Sequence, residues 1–203
     1  MLCDIKPYKQ GTLSRWCSVY SVINAVRMLG LELSVNKAQE MYDSILDQLY
    51  VYDALNDVVQ YGADGARIEQ IIQFAKDYLK TVYKKELTFI RPFYNNKLFF
   101  DKLLEYMQQQ REQNKAVIVR IRSADLDHYS VFDGVKGNKL KLFDSDHLPY
   151  IKVNDISHIK DDAKFQLLIR QLYVLELCNL TIPRLHTKKS VQTTSKPRLN
   201  AHL

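Results

Sequence analysis

The stretch AVIVRIRSADLDHYSVFDGVKGNKLKLFD, residues 116–144, decides the fold. Ala116–Arg122 reads as a strand, because Val117, Ile118, Val119 and Ile121 are closely spaced β-branched residues. Tyr129–Val135 and Lys139–Phe143 read as two more, joined by Lys136, Gly137 and Asn138, a hairpin signal. Downstream, Pro149–Val153 and Gln171–Leu177 carry the same character. Upstream the period changes to that of a helix. Val19, Val22, Ile23, Val26 and Leu29 form one apolar stripe that Gly30 stops. Ala38, Met41, Tyr42, Ile45, Leu46 and Leu49 form a second. Val51–Gln60 continues as another helix, ended by Gly62. Asp64 offers an N-cap to a helix carrying Ile68, Ile71, Ile72, Ala75 and Leu79. A further helix is expected from near Asn95, presenting Phe99, Leu103, Leu104 and Met107. Helices therefore precede an antiparallel sheet, which is an α+β order and not an alternating α/β one.

The chain has 203 residues, 46% hydrophobic and 26% charged, enough to bury the core of one medium domain. That composition excludes a disordered chain. No apolar run approaches the roughly 18 residues that cross a bilayer, so no membrane insertion is expected. Met1–Gln10 lacks a signal-peptide apolar stretch, so the expectation is a cytoplasmic protein, or one exported as an effector by a route other than Sec. Cys3, Cys17 and Cys178 are too few and too scattered for a disulfide framework or a zinc pair. No histidine, cysteine and aspartate cluster has ligand spacing, so neither a metal nor a cofactor is expected.

Five positive charges of a net +6 lie at Arg184, Lys188, Lys189, Lys196 and Arg198, with no carboxylate among them. The body, residues 1–183, is nearly neutral and reads as the folded domain. Residues 184–203 read as a basic, disordered tail. A nucleic-acid partner is not expected, because the body offers neither a basic stripe nor an aromatic platform.

Chemistry concentrates at Cys17, which opens the first predicted helix. A thiol there meets the positive end of the helix dipole and unpaired backbone N–H groups. Both favour a thiolate and can stabilise an oxyanion. A thiolate nucleophile needs a base, and the base needs an orienting partner. His128 opens one strand of the hairpin and Asp144 closes the other. With a three-residue turn, paired residue numbers sum to 274. Asp144 then faces Ser130, and His128 shares that face within diagonal reach. A two-residue turn would put His128 and Asp144 on opposite faces. His147 and His158 lie in loop-like contexts, and His186 and His202 in the tail. Cys3 and Cys178 read as small buried hydrophobes. Trp16 can wall a cleft or pack in the core, and Asn24 reads as a buried polar anchor for a neighbouring loop.

This succession resembles the papain-like cysteine peptidases, in the branch of the bacteriocin-processing, double-glycine-leader peptidases. The match rests on Cys17 at a helix start, the segment His128-Tyr-Ser-Val-Phe-Asp-Gly134, and Asp144 sixteen residues after His128. It spans roughly residues 8–155 as short motifs and spacing. The resemblance implies Cys17 as nucleophile, His128 as general base, Asp144 as its orienting partner, and a papain-like fold of helices packed on an antiparallel sheet. The family places an oxyanion glutamine six residues before the cysteine, whereas Gln10 stands seven before it. A one-residue insertion at Gly11 would let Gln10 serve. Ser18 and Ser145 replace the family's small residue after the nucleophile and its proline after the aspartate.

The function expected is a cysteine hydrolase, peptidase or amidase, acting on a protein or peptide substrate through a thioester. The alternatives are a papain-like binding module with weak catalysis, and an acyltransferase using the same triad.

Overall fold

Ser34 and Asp64 each start a helix by the same device. The Ser34 side chain accepts the Lys37 N–H at the head of α2 (Val35–Val51), and that of Asp64 accepts the Arg67 N–H at the head of α4 (Gly65–Tyr78). Glycines at positive φ end two others, Gly30 after α1 (Cys17–Met28) and Gly62 after α3 (Leu55–Tyr61). The computed structural model describes residues 6–9, 16–94, 99–158 and 163–180. Gln10, Cys3 and the 184–203 tail lie outside the described residues. α5 (Phe100–Glu112) begins later than the apolar spacing predicts, and Phe99 is exposed at its N-cap instead of joining the buried face of Leu103 and Met107.

Eight strands among the described residues form one sheet: β1 (Lys85–Ile90), β2 (Ala116–Arg122), β3 (Asp127–Lys136), β4 (Lys139–Phe143), β5 (Tyr150–Lys152), β6 (Ile156–Ser157), β7 (Phe165–Leu167) and β8 (Tyr173–Asn179). Their order is β1-β8-β2-β3-β4-β5, antiparallel throughout, with β7 added beside the end of β2. One short parallel pair, β6 with β7, departs from the antiparallel pattern. The class is α+β, as the order of elements implies.

Two details differ from the simple order of helices then strands. β1 precedes α5 in the chain. It is an edge strand with one fully buried side chain, Leu87, so its own apolar content gives a weak signal, and its pairing with β8 makes it a strand. The helices also cover both faces. α1, α2 and α4 pack against Ile118, Tyr129, Val131 and Leu175, while Leu103 and Met107 of α5 pack against Val117, Val119, Phe132 and Val174. β2 is therefore buried on both sides, which explains its nearly unbroken apolar run.

Ile118, fully buried at the centre of the sheet, is the test of this packing. Ile118→Ala is expected to destabilise the protein by about 2–5 kcal/mol, read as a lower denaturant midpoint at unchanged slope. A change below about 0.5 kcal/mol would contradict the two-sided burial of β2.

Candidate active site

The β3–β4 hairpin decides whether His128 and Asp144 can meet. Its turn has two residues, Gly137 and Asn138, with Lys136 paired to Lys139. Gly137 has φ 57°, as the first central position of a type II′ turn requires. This corrects the three-residue turn, and alone it would separate the two side chains. A β-bulge at Asp133 undoes the effect. Val135 pairs with Leu140 and Gly134 with Lys141, but beyond the bulge Phe132 pairs with Leu142 and Val131 with Phe143. The extra residue shifts the register by one, so the partner sum returns to 274 and Asp144 falls opposite Ser130. The bulge is held by α5: Gln108 Oε1 accepts the Val135 N–H at 3.3 Å, and Arg111 lies 3.9 Å from Asp133. Gly134 adopts φ 120° there, a conformation strained for any residue with a Cβ.

His128 Nε2 lies 2.7 Å from Asp144 Oδ2, and both side chains are buried. Asp144 Oδ1 accepts the backbone N–H groups of Asp146 at 2.7 Å and Leu148 at 3.2 Å. Burial opposes a charged imidazole, yet hydrogen bonds to Asp144 and then to Cys17 outweigh it and push His128 up to about 10. Burial likewise opposes the Asp144 carboxylate, and the His128 hydrogen bond and charge overcome it and lower its pKa. With Nε2 committed to Asp144, Nδ1 is the ring nitrogen left to meet the sulfur. The structure thus brings Cys17, His128 and Asp144 together from α1, β3 and the end of β4.

Cys17 is the first residue of α1. Among the described residues no side chain caps that terminus, and its first turn holds no acidic residue. The leading backbone N–H groups have no intrahelical partner, and they and the positive end of the dipole lie at the thiol. Cys17, His128 and Tyr129 open into a cleft of about 510 Å³, bounded on one side by Gly62 and Ala63 and on the other by the Ser123–Asp127 turn.

Several supporting residues carry no strong sequence signal. Arg120 interrupts the apolar run of β2 and chelates Asp127 with Nε and Nη2 at 2.5 and 2.9 Å, and Arg122 joins the same carboxylate. Burial opposes the charge on Asp127, but the two arginines hold its pKa low. Gln171 Oε1 receives the Tyr129 hydroxyl at 2.8 Å and Arg120 Nη1 at 2.7 Å. The one hint of this network is a charged residue inside a strand otherwise apolar. Asn24 is the anchor its buried polarity implies: Oδ1 accepts the Tyr8 N–H at 2.8 Å, and Nδ2 donates to the Tyr8 carbonyl at 3.1 Å. Trp16 is only partly buried and meets Tyr42 edge-on, 6.3 Å between centroids. Lys9 Nζ donates to His147 Nδ1 at 2.8 Å, and His158 stacks on Phe100. Cys178 is exposed, contrary to its apolar context, because the end of β8 runs out beside the edge strand β1.

No protein-family model matches the chain, and no curated protein matches it. Among solved structures it is similar to the peptidase domain of Streptococcus ComA, a bi-functional ABC transporter involved in a quorum-sensing pathway. The two share 14% identity over 85% of this chain and 97% of that one, with a TM-score of 0.45. Among the described residues no helix is long and apolar enough to cross a membrane.

Proposed function

We propose that this protein is a cysteine hydrolase of papain-like type, cleaving a peptide or other amide bond with Cys17 as nucleophile, His128 as base and acid, and Asp144 as the residue that orients the imidazole. One observation carries the reading: a buried imidazole bonds a buried carboxylate through Nε2 at 2.7 Å while sharing a cleft with Cys17, which helps raise its pKa. The proposed domain is residues 1–183, with 184–203 a basic tail, and its partner is a protein or peptide substrate.

In the first half-reaction His128 takes the thiol proton and Sγ adds to the substrate carbonyl carbon. The negative charge moves to the carbonyl oxygen, where the N–H groups at the head of α1, which have no intrahelical partner, can receive it. As the C–N bond breaks, the imidazolium gives its proton to the leaving amine, and a thioester remains. In the second half-reaction His128 deprotonates a water that adds to the thioester carbon. The C–S bond then breaks, releasing a carboxylic acid and restoring the sulfur. Gln10 is proposed as an additional oxyanion donor.

A screen on peptide and ubiquitin-type amides, comparing wild type with Cys17→Ala, tests the reading. Turnover of at least one substrate is expected, falling by about 10³-fold or more in the variant. Mass spectrometry should show an acyl adduct on Cys17 in wild type under acid quench. Equal turnover by both proteins would overturn the assignment.

A further inference from the structure

Asp144 accepts three hydrogen bonds among the described residues, and its bonding is one donor short. Each carboxylate oxygen offers about two acceptor positions. Oδ1 fills both, with the Asp146 and Leu148 N–H groups, while among the described residues Oδ2 has His128 alone. Ser130 falls opposite Asp144 when the register Val131↔Phe143 is continued by one residue, and Ser130 is 1% exposed. Among the described residues its hydroxyl has no hydrogen-bond partner within bonding geometry. A buried hydroxyl without a partner is unfavourable, and its O–H turns freely about χ1 and the C–O bond. The vacant position on Oδ2 and the orphaned donor answer each other.

We infer that Ser130 is a positioning residue for this site: its hydroxyl donates to Asp144 Oδ2 and holds the carboxylate ionised and aimed at His128 Nε2. The inference rests on the hydrolase reading above. The groups acting on the pair are few. His128 and Ser130 come from β3 and the Asp146 amide from the following loop, while Cys17 of α1 acts on the far side of the imidazole. Proximity of Ser130 already favours the Asp144 carboxylate. Ser145 is also buried without a partner, but it follows Asp144 along the chain instead of facing it across the ladder.

The experiment is the pH profile of Cys17 alkylation by iodoacetamide in full-length protein carrying Cys3→Ser and Cys178→Ser, so that one thiol is read. A hydrogen bond to the charged form lowers a carboxyl pKa, so its loss should raise the acid limb of the profile. Ser130→Ala is expected to move that limb up by about one pH unit, with the circular dichroism spectrum unchanged. Ser130→Thr, which keeps the hydroxyl, should restore the wild-type limb. If Ser130→Ala leaves the limb in place, or Ser145→Ala moves it as far, the Ser130 assignment falls while the hydrolase reading stands. If wild-type Cys17 reacts at acidic pH no faster than a free thiol, the hydrolase reading falls and this inference with it.

Discussion

His128→Ala is expected to lower amide turnover by about 10³-fold or more and to remove the fast alkylation of Cys17 at pH 5. The reason is geometric. His128 bonds the Asp144 carboxylate and faces the same cleft as Cys17, whose sulfur helps raise its pKa, so its loss disconnects the two. No other histidine in the described residues is placed to take over. His147 is engaged with Lys9, and His158 stacks on Phe100. The variant also leaves a buried carboxylate without its main partner, which in a pair this enclosed destabilises by about 3–5 kcal/mol. His128→Gln separates the two effects, because a glutamine amide can still donate to Asp144 but cannot accept a proton from sulfur. It should recover much of the stability and none of the turnover. Cys178 provides an internal reference in the labelling arm, since it is exposed and remote in sequence from the cleft residues. Turnover by His128→Gln within tenfold of wild type would refute the role given to the imidazole.

Much of this site was legible in residues 116–144, and the part that was not has a definite physical cause. Turn length and bulge are coupled choices, and both a three-residue turn and a two-residue turn with one bulge keep His128 and Asp144 on one face. The sequence pattern constrains their sum, not how it is divided. Gly137 at the head of a tight turn and Gly134 at positive φ beside the bulge are the residues that divide it. Neither position is marked by hydrophobic periodicity. The helices were legible because their stripes are long and, for α4, the cap is local: Asp64 acts within three residues of itself. β1 was not, since one buried leucine makes no period and its strand character comes from β8, about ninety residues further on. The placement of α5 on the opposite face was hidden for a related reason. An apolar stripe on a helix states that a face is buried, and β2, apolar on both sides, accepts a helix on either. Cys178 shows the converse error, an apolar neighbourhood in sequence that ends outside the cover of the helices.

The buried His128–Asp144 pair should also set how stability depends on pH, most clearly in Cys17→Ala protein, where no thiol titrates beside it. The pKa of His128 is raised from 6.5, chiefly by the carboxylate against the opposing effect of burial. The folded state therefore holds a proton that the unfolded chain releases. The stabilisation from this group is complete below pH 6.5 and is lost as pH rises toward the folded value. Asp144 runs the other way: its pKa lies below 3.8 in the fold, so its contribution is present above that pH and is lost as pH falls further. Urea midpoints of Cys17→Ala protein should accordingly be highest between about pH 4 and 6.5. On the alkaline side stability should decline by up to about 1.4 kcal/mol per pH unit until the imidazole is neutral. Cys17→Ala with Asp144→Asn keeps an acceptor for the ring but no charge, so the alkaline slope should vanish, with lower stability at pH 6. No alkaline slope above pH 6.5 in Cys17→Ala protein, with the Asp144 charge present, would mean that the imidazole is neutral in the fold. The hydrogen bond at 2.7 Å would then join a neutral ring to the carboxylate, and His128 would not be carrying the extra proton when the substrate arrives.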